Sequence, residues 1–252
     1  MANPPYVIAR MKARSSDKPA GNWPSPVGDA LVAAIMAGDL PAGAKLSEGA
    51  IGTIFNVSRT IVREALRQLA SIGLVVLLPN RGAFVASPDA AEACDLYAAR
   101  RLIELEIVAD VASHCTAHDV RRLRQHVARQ QAAYDQQNRG AYIHLLGEFH
   151  LVLAGIGGNR VLEELVGQLV PRSSLITTLF SGAGPHPCAM HEHSLLIDSL
   201  AVGDAAASVE AMREHLTLRS QSLEFEAPQP ANIDFSTVLA PYVPGRRRAR
   251  RP

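Results

Sequence analysis

A chain of 252 residues with 48% hydrophobic and 19% charged side chains carries enough apolar material for two packed domains, which excludes disorder along most of its length. The longest purely aliphatic run, Leu74 to Leu78, stops at Pro79, far short of the ~20 apolar residues of a membrane helix. No apolar signal-peptide stretch precedes Trp23, and Cys94, Cys115 and Cys188 form no CxxC pair, so a cytoplasmic protein with reduced thiols and no membrane partner is expected.

The net charge of +1 hides an uneven distribution. Residues 1–87 hold nine Lys and Arg against five Asp and Glu, residues 88–225 eleven against seventeen, and residues 226–252 five against two. A polyanion would be attracted to the front of the chain and repelled by its middle, which makes nucleic acid a candidate partner of the first part alone.

Residues 1–22 mix Pro, Ser, Lys and Arg without apolar periodicity and read as a flexible lead. From Ser25, a possible cap, Val27, Leu31, Ile35 and Met36 fall at helical spacing, and Gly38, Pro41 and Gly43 end the segment. A second short helix opens at Leu46-Ser47-Glu48 and stops near Asn56; a third, capped by Ser58, runs to about Ser71. Leu74 to Leu78 and Ala83 to Ala86 then read as two strands around Pro79-Asn80-Arg81-Gly82. Residues 23–87 are thus expected to form one small domain of three helices and a hairpin.

After Pro88 the strand signals vanish, and residues 88–225 read as an all-helical bundle. Helices are expected at about 89–113, 117–138, 140–156, 160–170, 172–181, 188–202 and 205–223. Thr116 with Asp119, Asn159 and Asp204 are the expected caps. Residues 226–252, rich in Pro and closing on Gly245-Arg246-Arg247-Arg248-Ala249-Arg250-Arg251-Pro252, read as a disordered basic tail. The fold class is therefore mainly α, with an N-terminal helix-turn-helix and small β-hairpin ahead of a C-terminal bundle.

In the third helix Arg59, Arg63 and Arg67 are spaced by four and lie along one stripe, opposite Ile61, Val62, Ala65, Leu66 and Leu69. Such a helix can enter a major groove, where Arg reads guanine or binds phosphate, and Ser58 and Thr60 add hydroxyls at its N-terminus. The plainer alternative is a solvated surface helix with Glu64 and Glu48 as ion-pair partners. Arg81 and Gly82 at the hairpin tip add a wing able to reach the neighbouring groove or backbone.

These residues carry a specific resemblance. Leu46-Ser47-Glu48, the block Val57 to Leu69, Gly73-Leu74-Val75 and Arg81-Gly82-Ala83-Phe84-Val85 resemble the winged helix-turn-helix of the GntR family of bacterial transcriptional regulators. The resemblance implies that Arg59, Arg63 and the Arg81-Gly82 wing contact double-stranded operator DNA. Gly49 stands where the family commonly has Arg after the Glu of its second helix, so one DNA contact is missing.

The acidic part resembles the FCD ligand-binding domain of the FadR subgroup, through Tyr97-Ala98-Ala99-Arg100 with Ile103-Glu104, Phe149-His150, Glu192-His193 and Met212 with His215. By that resemblance His150, His193 and His215 are ligands of a divalent metal such as zinc in a helical cavity. The subgroup's Asp ligand falls at Leu146, leaving three imidazoles, which can still hold such an ion with an open position. Arg100 is expected to clamp a small carboxylate effector, and Arg172 and Ser173, read as the start of a helix after Pro171, to bind its anionic group. The alternative is a metal-free pocket whose histidines bond the effector directly.

Together these features predict a ligand-responsive regulator, a repressor, binding a two-fold operator as a homodimer. The competing reading from another class is a metal-dependent hydrolase using the three-His site, with the front domain as a targeting module. No HExxH, GxSxG or P-loop supports it, and Glu148 is offset from the face that His150 occupies.

Overall fold

The computed structural model describes residues 26–181, 188–225 and 234–244. The expected lead over 1–22, the Ser25 cap and the arginine run at 246–251 lie outside the described residues.

The first unit follows from its apolar spacing. Helix α1 (Pro26–Met36) buries Leu31, Ile35 and Met36 against α2 (Glu48–Phe55) and α3 (Arg59–Ser71). Ser47 and Ser58 accept from Ala50 N and Ile61 N, so each helix begins on a side-chain cap. Asn56 ends α2 in the left-handed region at φ 52° and turns the chain into α3. The expected two-stranded hairpin is a three-stranded antiparallel sheet in the order β1-β3-β2. Strand β2 (Val75–Leu78) pairs with β3 (Gly82–Val85), Val75 opposite Val85 and Leu78 opposite Gly82. The added β1 (Lys45–Leu46) lies along β3, with Leu46 opposite Ala83. Two residues are too short a run to display a strand period, so β1 exists through its partner.

The second unit is a bundle of α4 (Ala90–His114), α5 (Ala117–Asp135), α6 (Arg139–Gly157), α7 (Arg160–Phe180), α8 (Cys188–Ala201) and α9 (Ala205–Gln221). Thr116 and Asp119 form a reciprocal capping box, and Asn159 and Asp204 cap α7 and α9. Phe149, Leu153, Val108, Ile176, Met212 and Leu216 are core residues of this bundle. By length and composition α6 could cross a membrane, but half of its apolar window is buried inside the bundle, where it serves as a central helix.

Two expectations are corrected here. The separate helices at 160–170 and 172–181 are one continuous helix, α7, with Pro171 inside it. The proline removes a bond to the carbonyl of Gly167, which has no side chain and faces open space, and packing of α7 against α4 and α6 holds the helix together across the defect. The second correction concerns residues 226–252. Within them, Asp234 caps a short helix, α10 (Phe235–Leu239), which continues as a 3-10 turn (Ala240–Tyr242). Leu239 is fully buried in the core of the first unit, beside α1 and α2.

The two units share a packed contact. Ala37, just after α1, comes so close to Gly140 of α6 that a Cβ at 140 would stand 3.1 Å from Ala37 backbone atoms. Ile143 of α6 and Leu175 of α7 are buried within the first unit's core. Thr178 Oγ1 lies 3.4 Å from the Met36 carbonyl.

Candidate functional site

On the first unit, Arg59, Thr60, Arg63 and Arg67 are exposed along α3, with Ser58 at its cap, while Val62, Ala65, Leu66 and Leu69 are buried; Ile61, expected on the buried side, is exposed in the first turn. Arg63 donates to both oxygens of Glu48, at 3.2 and 2.9 Å, and Arg67 lies 3.7 Å from Glu64. The ion pairs of the plainer reading are therefore present, yet both are open to solvent and weak enough for a phosphate to compete with them. The Glu48 carboxyl is held below its ordinary value by its hydrogen bond to Arg63, against a small opposing effect of burial. At Gly49 a Cβ would meet the Arg59 guanidinium at 3.6 Å, so the space of the missing side chain is shared by Arg59. At the wing, Asn80 adopts φ 58°, Gly82 adopts φ 99°, and exposed Arg81 stands 5.8 Å over the Phe84 ring.

The second unit holds a partly open pocket with about 700 Å³ of non-atom space, the solvent at its mouth included. His150 from α6, His193 from α8 and His215 from α9 line it, and one ring nitrogen of each lies within 4.8 Å of the others. Each ring is oriented from behind. The His150 Nδ1–H donates to Glu104 Oε2, the His215 Nδ1–H to Glu192 Oε2 at 2.7 Å, and the His193 Nδ1–H to Gln130 Oε1 at 3.2 Å. Gln130 is itself oriented by donating its amide to the Leu145 carbonyl. All three Nε2 atoms are thus left as lone-pair donors, the tautomer that metal-binding histidines adopt. His150 Nε2 and His215 Nε2 face one another at 3.2 Å, and buried His193 Nε2 has no partner among the described residues. Facing lone pairs repel, and a shared cation would relieve that repulsion.

Protonation agrees with this donor set. Burial lowers the His150 pKa to about 4 despite the opposing pull of Glu104. Burial and the neighbouring rings hold His193 well below its usual range, and burial also lowers His215. For Glu104 burial pushes upward, but the Arg100 guanidinium and His150 outweigh it and hold the carboxyl well below the carboxylate range. The rings are therefore neutral near pH 7 and the carboxylate behind them is ionised. Leu146 lines the cavity one turn before His150, so no carboxylate of α6 joins the cluster from that position.

Arg100 is buried on the cavity wall. Its Nε donates to Glu104 at 2.6 Å and its Nη1 to Ser173 Oγ at 2.9 Å, while Nη2 is buried without a partner among the described residues. Arg139 and Arg219 also line the cavity, with Arg219 donating to Glu192 at 3.0 Å. Arg172 is different. It pairs with Glu92 and lies over Gly73 at the contact between the units, where a Cβ on Gly73 would stand 2.7 Å from its Cδ, and it does not line the cavity. Because α7 is continuous, Arg172 and Ser173 sit mid-helix with no free N-terminal amides to offer an anion.

Sequence reasoning missed Gln130, Arg139 and the supporting role of Glu104. The spacing of Arg100 and Glu104 signalled an i,i+4 ion pair, but nothing local marks Gln130 within a polar helix. Glu148, the candidate base of the hydrolase reading, lies 3.8 Å from Arg129 and is not among the cavity residues.

Comparison with known proteins completes the assignment. Residues 25–85 match the family model described as bacterial regulatory proteins, gntR family, and residues 95–218 match the FCD domain. The Uxu operon regulator of Haemophilus influenzae is 30% identical over 209 residues, covering 75% of this chain and 77% of that protein. This chain belongs to the GntR family of bacterial regulatory proteins. It is similar to the HTH-type transcriptional repressor RspR of Escherichia coli K12, at 28% identity over 182 residues, 72% of this chain and 80% of the relative. The crystal structure of a GntR transcriptional regulator from Rhodococcus sp. RHA1 superposes with a TM-score of 0.68 at 26% identity, covering 77% of this chain and 94% of that one. The regulator is thus a DNA-binding transcription factor that carries an FCD domain, and the hydrolase reading falls.

Proposed function

We propose that this regulator is a repressor that binds a two-fold operator as a homodimer and changes its operator affinity when a small carboxylate metabolite enters the FCD cavity, as in the FadR subgroup. On the DNA side, Ser58, Arg59, Thr60, Arg63 and Arg67 enter the major groove, and Arg81 and Gly82 of the wing hold the adjacent backbone. One recognition helix covers too few base pairs for genomic specificity, which is why a dimer on an inverted repeat is required. Such a protein works in the bacterial cytoplasm.

The single observation that carries the effector reading is the convergence of three neutral, back-supported imidazoles beside the unpartnered Nη2 of Arg100. The donor set suits a divalent ion such as zinc, held by His150, His193 and His215. When bound, that ion supplies Lewis-acid affinity for an anionic oxygen. Arg100, steadied by Glu104 and Ser173, offers its free edge to the effector carboxylate. Arg172 has a different task, bridging α7 to Glu92 and Gly73 at the contact between the units.

The route from cavity to DNA runs through α6 and α7. His150 belongs to the same helix that meets α1 at Gly140 and Ile143, and Ser173 to the same helix that contributes Leu175 and Thr178 to that contact. A ligand that draws α6 and α7 together in the cavity thereby biases the seating of the DNA-binding unit. Differential affinity of about 1–3 kcal/mol would change operator affinity about 5–150-fold. The test is a titration of a panel of small carboxylates against the operator complex, with metal analysis, for the wild type and the double variant His150→Ala, His193→Ala. The variant should bind operator normally, contain no metal and ignore the effector. An equal response in both proteins overturns the assignment of the site.

A further inference from the structure

The pocket of the FCD unit is a trough with a cation at each end. On α6, Arg139, Tyr142, Ile143, Leu146, Gly147 and His150 line it at the i, i+3, i+4, i+7, i+8, i+11 spacing of one helical face, so it follows that helix for about 16 Å. At one end stand the three imidazoles and Arg100, whose Nη1 is fixed by Ser173. At the other end stands Arg139, whose Nη2 donates to the Thr178 and Ser181 carbonyls at 3.1 and 3.0 Å and to Ser181 Oγ at 3.4 Å. Ser173 lies within α7 and Ser181 ends it, so the anchors of the two guanidiniums are separated by about 12 Å along the helix axis.

The three arginines of the pocket differ in what answers their charge. Arg100 is paired with Glu104 and Arg219 with Glu192, whereas half-buried Arg139 pairs with no carboxylate among the described residues. Burial alone acts on the Arg139 guanidinium, pulling its pKa downward, and its Nε and Nη1 make no hydrogen bond among those residues. No Asp or Glu lines the pocket. A cation at the C-terminal end of α7 has a plainer task in satisfying the last carbonyls, but that task occupies Nη2 and leaves the other edge of the guanidinium unused. We propose that Arg139 is a second anion subsite and that the effector is a small linear diacid, with one carboxylate at Arg100 and the imidazoles and the other on the free edge of Arg139. This deepens, and rests on, the reading of the pocket as a carboxylate effector site. Between the two ends Ile143 and Leu146 supply an apolar wall for a methylene chain. With an N–O contact of about 3 Å at each end, anchors about 12 Å apart leave roughly 6 Å between the acid groups, the span of a five- or six-carbon diacid.

The experiment is titration calorimetry on the full chain as purified, with glutarate and adipate as diacids and pentanoate and hexanoate as monoacids of matched length. The wild type should prefer each diacid over its matched monoacid by about 10-fold or more, the effect of one added charge-assisted contact. Arg139→Gln should bring the diacids to the affinity of the monoacids and leave the monoacids unchanged, whereas a purely structural role would weaken both classes together. Arg139→Lys keeps the charge without the planar fork and should retain part of the preference, so it tests the subsite even if the Gln variant folds poorly. Equal affinities for diacid and monoacid in the wild type, or a preference for diacids that survives Arg139→Gln, would overturn the second subsite while leaving the carboxylate pocket in place. The double variant His150→Ala, His193→Ala should bind neither class. If the wild type bound no acid of either class, or the double variant bound both as the wild type does, the reading of the pocket itself would fall and this inference with it.

Discussion

Replacing Glu104 by Gln tests the buried electrostatics on which the cavity depends. The amide is nearly isosteric with the carboxylate, so packing is retained and the charge is removed. In the wild type, Glu104 receives the Arg100 Nε–H at 2.6 Å and the His150 Nδ1–H, and the side chains of Arg100 and Glu104 are 5% and 2% exposed. With Gln at 104 the guanidinium retains Ser173 as its one other side-chain acceptor among the described residues and stays buried with no counter-ion among them. Breaking a buried pair from one side costs about 3–5 kcal/mol. For a chain of this size, each kcal/mol moves the melting temperature by about 2–4 °C, so E104Q should melt roughly 6–20 °C below the wild type.

Calorimetry or circular dichroism near neutral pH measures this directly, and the double variant Arg100→Met, Glu104→Leu is the control. Removing both charges exchanges the pair for apolar volume and should restore most of the loss. The pH dependence has a definite sign. Glu104 is held well below its reference value of 4.5, so its stabilisation is complete above about pH 4.5 and is lost as pH falls toward the depressed folded value. The difference between wild type and E104Q should hold steady between about pH 6 and 8 and narrow below about pH 4.5. A melting temperature for E104Q within about 1 °C of the wild type, or a double variant as unstable as the single one, would refute the account.

Arg59→Ala and Arg63→Ala should each weaken operator binding by about 1–3 kcal/mol, roughly 5–150-fold, with unchanged melting; unaltered affinity in both at one fixed salt concentration would remove α3 from the groove. Gly147→Ala would place a Cβ 2.5 Å from Ser174 Oγ and 3.0 Å from Val170 Cγ1, forcing α6 and α7 apart. Such overpacking costs about 1–3 kcal/mol. Adding Ser174→Ala, which removes the nearer atom, should recover much of the loss in a thermal melt; no recovery would mean that the strain lies elsewhere.

How much was legible without coordinates depends on how local each signal is. Caps and periodic faces are local: Ser58, Thr116 with Asp119, Asn159 and Asp204 all cap as their spacing indicates, and the arginine stripe of α3 is exposed opposite its buried face. The three histidines that the family resemblance points to are brought together by three different helices. Where a feature depends on a distant partner, the sequence misleads. Pro171 reads as a break because its local effect is unfavourable, but packing on both sides of α7 keeps the helix continuous, and Arg172 is carried to the contact between units instead of into the cavity. The proline-rich composition around 228–244 reads as disorder, yet one apolar face of four residues finds a place in the core of another unit.

By itself, then, the sequence determined the order of the elements, the basic and acidic division of the chain, and the family, since these rest on residue types and their spacing within one or two helical turns. Tertiary structure alone decided that Glu104, Gln130 and Glu192 set the tautomers of the three imidazoles and that residues 234–244 fasten onto α1 and α2. The physical reason is separation along the chain. His150 and Glu104 are 46 positions apart, Gln130 and His193 are 63, and Tyr242 and Asp39 are 203; only packing of the whole chain places such groups within a hydrogen bond of each other.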